Sequence, residues 1–169
     1  MSNYKVHITE DVPGLGMVKG FKVSGVACDI RNKNDLKRLD LALVASDVPA
    51  TAAGVFTTND VKAAPVLVDI AHISHSDKIK AIIANSGNAN ACTGERGMAD
   101  AVEECKVVGE YFDVGPEQVL VCSTGRIGEF LPMEKITKGI GEAVKALSDS
   151  DEASRAAASA ILTSDTRSK

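Results

Sequence analysis

The apolar runs of this chain are short. Leu41–Ala45, Gly54–Thr57, Pro65–Asp69, Ile79–Ala84 and Val119–Cys122 each span four to six residues between turn-forming neighbours. Runs of that length are strand-sized, and most are too short for helices. Three other segments carry the helical period. From Met98 to Phe112, Ala101, Val102, Cys105, Val108 and Phe112 fall on one stripe, with Glu103, Lys106 and Glu110 largely opposite. Gly109 weakens the last turn of that segment, at a cost of about 1 kcal/mol relative to Ala. From Pro132 to Leu147, Met133, Ile136, Ile140, Val144 and Leu147 make an apolar face, and Pro132 suits the first helical position. From about Asp151 to Leu162 an alanine-rich helix opens on Asp151 and Glu152, where the helix dipole favours negative charge. Strands mixed with helices define an α/β chain.

With aromatic residues at only 4%, the core must be built from Val, Ile, Leu and Ala, and the 14 glycines permit close backbone approaches. A chain of 169 residues buries roughly 70% of its unfolded surface. We read residues 1–169 as a single domain with no internal repeat; "LSDSD" is a polar connection, not a linker. The N-terminal stretch "VPGLGMVKGFKVSGVACDIRNKNDLKR" fits strands with turns, its last ten residues forming a charged surface loop.

Nineteen basic against 23 acidic residues, spread along the chain, leave a net charge of −4 and no basic footprint for nucleic acid. Cys28, Cys92, Cys105 and Cys122 lie far apart without a C-x-x-C pair, and read as reduced core residues. His7, His72 and His75 have no second ligand set nearby, so no metal site is expected. No apolar stretch nears the ~20 residues of a membrane span, and the opening residues carry no signal pattern, which points to a cytoplasmic protein.

Four segments could carry chemistry. "NSGNANACTGERG", Asn85 to Gly97, lies between an apolar run and a helix, where free backbone N–H groups could meet an anion or a carbonyl oxygen. It matches neither phosphate-loop pattern, and a tight turn with left-handed Asn and Gly explains it equally well. "STG", Ser123 to Gly125, ends the run Val119–Cys122. Ser123 or Thr124 as nucleophile would need a base, and no histidine lies near in sequence. The Gly125 N–H and Thr124 hydroxyl could instead stabilise an oxyanion, or the triplet could simply cap the following helix. "LTSDTRSK" terminates the last helix with hydroxyl and carboxylate side chains that could also hold a polar substrate. Ala52 to Asp69 reads as a hairpin of two strands around Thr-Thr-Asn-Asp.

"DLALV", "PATAAGVFTTNDVKAAPV", "IANSGNANACTGERG", "STGRIGEFLPMEKI" and "AILTSDTRSK" stand in the order and spacing of one family. From about Gly20 to Lys169 the chain resembles the ornithine acetyltransferases, the bifunctional glutamate N-acetyltransferase/amino-acid acetyltransferases of arginine biosynthesis. The resemblance implies a layered α/β sandwich of N-terminal-nucleophile-like type. It also implies a precursor that cuts itself at an Ala-Thr bond, and this sequence looks like its α chain. The nucleophile would then be the N-terminal Thr of the β chain, with Thr124 and Gly125 as oxyanion hole and Thr163 contacting substrate. The implied reaction passes acetyl from N-acetylornithine to glutamate without a cofactor, acetyl-CoA being a further candidate donor, in an α2β2 heterotetramer.

Three departures from the family pattern stand out. Ser164 replaces a Thr in "TSDT", Arg126 replaces the Val after "STG", and Lys169 precedes the family's "AKGSGM" lysine and cleavage point. An amidohydrolase or aminopeptidase passing the acyl group to water, or a non-catalytic scaffold subunit, remain the alternatives. On this reading Gly125→Val is expected to abolish acetyl transfer while the chain still folds.

Overall fold

The computed structural model describes residues 14–165, so His7 and the end of "TSDTRSK" lie outside the described residues. Four strands form one sheet in chain order: β1 (Phe21–Val26), β2 (Leu41–Thr51), β3 (Lys78–Asn88) and β4 (Val119–Arg126). The first three run antiparallel to their neighbours, and β4 joins β3 in parallel. A parallel pair needs a crossover. Here it is α2 (Gly94–Phe112), with a short 3₁₀ turn at Pro116–Gln118 leading into β4. The other helices are α1 (Ala64–His75), α3 (Met133–Lys145) and α4 (Asp151–Ala160).

Alternation along the strands divides the sheet into two faces. Leu41, Leu43, Ala81, Ile83, Val119 and Val121 point to one face, where Val68, Ala101, Cys105, Val108, Ile136 and Ile140 of α1, α2 and α3 complete the main core. Val23 and Ala42 point to the other face and meet Ala157 and Ala160 of α4. Because α4 packs on β1 and β2, the second face of β3 and β4 is covered by no helix among the described residues. Ile82, Ala84 and Leu120 are only half-buried there, and Cys122 is exposed.

Several expectations change. Pro65–Asp69 is not a strand but the first turns of α1. Pro65 sits in the first turn, and the buried Ala64, Pro65, Val68 and Asp69 follow the helical spacing of three and four. Gly54–Thr57 has no regular structure and Val55 is fully exposed, so the expected hairpin does not form. In α2 the buried stripe includes Glu104, while Val102 faces solvent. Gly109 does not break α2: its carbonyl accepts the amides of Asp113 and Val114, and a side chain there would press on the Val114 carbonyl. Pro132 caps α3 rather than opening it, and Ser150 caps α4 by accepting the Ala153 amide. Of the cysteines only Cys28 and Cys105 are core residues; Cys92 and Cys122 are exposed.

Candidate active site

β4 is an edge strand, so half of its backbone groups lack a strand to pair with. The first half of that edge is closed by α1. Asp69 Oδ1 accepts the Val121 amide at 2.9 Å, and His72 Nδ1 lies 2.7 Å from the Val119 carbonyl. Burial pushes the Asp69 carboxyl up to about 6, against the Val121 hydrogen bond and the His72 charge, which lower it. Beyond Val121 no helix among the described residues covers the edge. At this end the pairing with β3 is irregular, Asn88 facing both Thr124 and Arg126.

Gly125 has φ +142°, and a Cβ built on it would collide with the backbone of Gly87 and Asn88 in β3. The side-chain direction therefore points at β3, an arrangement only glycine tolerates here. This corrects the expectation that Gly125→Val leaves the fold intact: any side chain must push β3 and β4 apart. Gly87, at φ +107°, faces it, and a Cβ there would meet the Arg31 side chain.

The Asn-rich loop supports this geometry. Asn85 Nδ2 donates to the Asn88 carbonyl at 2.9 Å, and Asn88 Nδ2 donates to the Glu129 and Phe130 carbonyls, each at 3.1 Å. Asn90, in left-handed conformation, receives Thr93 Oγ1 on its Oδ1 and donates to the Gly97 carbonyl. These asparagines are buried. The turn reading therefore accounts for the loop: it fastens β3, α2 and the segment after β4, and only Gly87 reaches the cavity described next.

A cavity of about 430 Å³ lies at the open end of β4. Thr124, Gly125 and Arg126 form one wall with Gly87, and Thr163 and Ser164 form another, with Arg31 and Lys33 completing the lining. All three residues singled out in the sequence, Thr124, Gly125 and Thr163, thus border one space. The long connection between β1 and β2 makes this convergence, and sequence reasoning treated it only as a charged surface loop. Arg38 donates to the carbonyls of Leu162 and Thr163 at 2.9 and 2.8 Å, and Arg31 reaches the Thr163 carbonyl at 3.5 Å. Buried Asp40 holds the loop in shape by accepting the Cys28 and Ile30 amides at 2.6 and 2.7 Å. Lys135 of α3 anchors it from the other side through Asp29, at 2.7 Å. No local spacing signals these contacts.

Among the described residues no histidine lines the cavity beside Thr124. The Ser123 hydroxyl is buried without a partner, and His72 is bonded at the far end of β4. No group of three or more His, Cys, Asp or Glu suited to a metal ion occurs among the described residues.

The chain is thus a layered α/β protein of N-terminal-nucleophile-like class, with its candidate site at the unclosed edge of the sheet. The ArgJ family model matches residues 22–169, and the chain belongs to that family. It is 50% identical over 149 residues to an arginine biosynthesis bifunctional protein ArgJ of Geobacter sulfurreducens, a match covering 88% of this chain and 36% of that protein. A namesake from Caldanaerobacter subterraneus subsp. tengcongensis is 51% identical over 152 residues, 90% and 36% of the two chains. The chain therefore spans little more than a third of these relatives. Among solved structures, the arginine biosynthesis bifunctional protein ArgJ of Bacillus halodurans superposes with TM-score 0.84 at 42% identity, covering 91% of this chain and 78% of that one. The ornithine acetyltransferase of Mycobacterium tuberculosis complexed with ornithine gives 0.85 at 40%, covering 91% and 81%. Among the described residues no helix is long and apolar enough to cross a membrane.

Proposed function

We propose that this chain is the α chain of a cytoplasmic glutamate N-acetyltransferase that moves acetyl from N-acetylornithine to glutamate in arginine biosynthesis. The threonine that opens the β chain attacks the acetyl carbonyl, and its hydroxyl proton passes to its own α-amine. The resulting oxyanion is received by the Gly125 amide and the Thr124 hydroxyl. Collapse of the intermediate breaks the C–N bond, the proton leaves with ornithine, and acetyl-threonine remains. The amine of glutamate then attacks that ester and restores the threonine. Thr163 contacts the substrate, and acetyl-CoA serves as a second donor.

The observation that carries this reading is the meeting of Thr124, Gly125 and Thr163 on one cavity beside an edge strand. The half-covered apolar face of β3 and β4 supports a second layer supplied by the β chain, as a sandwich requires, in an α2β2 assembly. Thr124→Val in the full-length enzyme tests it. Thr124 is exposed, so stability should stay within about 0.5 kcal/mol of the parent. Turnover should fall about 10²- to 10³-fold, as for loss of one oxyanion donor. Near-normal turnover would refute the assignment.

A further inference from the structure

Among the described residues the cavity is lined by the cations Arg31, Lys33 and Arg126 and by no carboxylate. The walls differ in what they bring. On β4, Arg126 is already answered by Glu129, Nη2 to Oε2 at 3.0 Å. β3 offers only Gly87, and the segment after α4 offers the uncharged Thr163 and Ser164, with Asp165 next in the chain but outside the lining. The connection between β1 and β2 therefore supplies the surplus charge, Arg31 and Lys33. Behind it, Asp40 accepts the Cys28 and Ile30 amides, and Asp29 is paired with Lys135 at 2.7 Å. Burial, then Arg38 and Arg126, pull the Arg31 guanidinium below the ordinary arginine value, and Asp40 opposes them.

Arg31 stands across from the oxyanion glycine. Gly87 pairs with Gly125 in the register of β3 and β4, and a Cβ on Gly87 would lie 2.6 Å from Arg31 Cγ and 2.9 Å from its Nε. With neighbouring strands about 4.8 Å apart, the guanidinium lies within roughly 10 Å of Gly125. The reaction proposed above ties a second group to the same point. The oxyanion sits about 3 Å from the Gly125 amide, the threonine oxygen bonds to the same carbon, and the α-amine that takes its proton must lie within about 3 Å of that oxygen. Chemistry alone thus keeps the amine within roughly 9 Å of Gly125, in the cavity that Arg31 lines. An unperturbed α-amine titrates at about 7.7–8.0, so at pH 7 it is mostly protonated and cannot act as a base. A nearby like charge disfavours the protonated form.

We propose that Arg31, assisted by Lys33, keeps the α-amine of the nucleophilic threonine unprotonated at neutral pH, so that it can take the hydroxyl proton. Arg31 acts on the reaction through that amine, by charge. The inference rests on the acetyl-transfer reading above.

The test uses the processed full-length enzyme and follows two quantities against pH. One is kcat/KM for acetyl transfer from N-acetylornithine to glutamate, whose acid limb reports the base in the free enzyme. The other is the rate at which cyanate carbamylates the N-terminus of the β chain, read by intact mass, which needs no turnover. Arg31→Gln should raise both midpoints by about 0.5–1 pH unit, the shift for one charge removed at ~10 Å and partly screened. Arg31→Lys should leave both midpoints in place. Lys33→Gln, at a more exposed position, should raise them by less. Salt at about 1 M should move the parent's midpoints toward those of Arg31→Gln. A role in shape alone lowers the plateau without moving either midpoint, and unmoved midpoints in Arg31→Gln overturn the proposal; should that variant not fold, Lys33→Gln decides in its place. If the parent transfers no acetyl at any pH, the acetyl-transfer reading falls and this one with it; if it transfers acetyl and only the midpoints fail to move, the acetyl-transfer reading stands.

Discussion

Glu104 is the least comfortable residue in the main core. It is 1% exposed on α2, and neither carboxyl oxygen has a hydrogen-bond partner. Burial, with a smaller push from Asp100, raises its carboxyl from 4.5 to about 8. The folded protein therefore keeps a proton on Glu104 that the unfolded chain gives up near pH 4.5. Stability from this group is complete below that pH and is lost as pH rises through 8. At about 1.4 kcal/mol per pH unit, the whole displacement is on the order of 5 kcal/mol, and roughly half of it falls between pH 5 and 7. Glu104→Gln removes the titration and keeps the size. Any cost of burying the amide does not depend on pH, so the difference between parent and variant isolates the proton. Urea denaturation at pH 5, 6 and 7 should show the parent losing about 2–3 kcal/mol relative to the variant across that range. Parallel stability curves would mean that water or a partner group satisfies the carboxylate, and would refute the reasoning.

Gly125→Ala should cost about 1–3 kcal/mol from backbone conformation alone, with more from the collision with β3, and differential scanning calorimetry should show Tm several degrees lower. An unchanged Tm would mean that the end of β4 is not held as described. Arg38→Ala removes both hydrogen bonds to the Leu162 and Thr163 carbonyls. Hydrogen exchange should accelerate at residues 161–165 and not in β4, and kcat/KM should fall about tenfold as Thr163 loses its position.

The secondary-structure elements that were legible are those with one dominant local signal. Ile79–Ala84 and Val119–Cys122 are apolar runs bounded by polar turns, and they lie in β3 and β4. The 3.6-residue period marked α3, and the acidic start marked α4. The failures have a common cause. Pro65–Asp69 is short, apolar and β-branched, so periodicity over five residues cannot separate a strand from a helix, and the deciding fact is that Asp69 and His72 together close the edge of β4. Glu104 lies on the face that Ala101, Cys105 and Val108 mark, and it is missed as a core residue because a carboxylate on a helix is ordinarily solvated.

The sequence by itself determined the alternation of strands and helices, the family motifs and the glycine at position 125, because backbone preference and side-chain period act over a few neighbouring residues. Only the tertiary structure decided that Arg31, Gly125 and Thr163 share one cavity. They are brought together by a loop hung from Asp40 and by Arg38 gripping the chain after α4; the Arg38 contacts span more than a hundred residues and leave no local pattern behind.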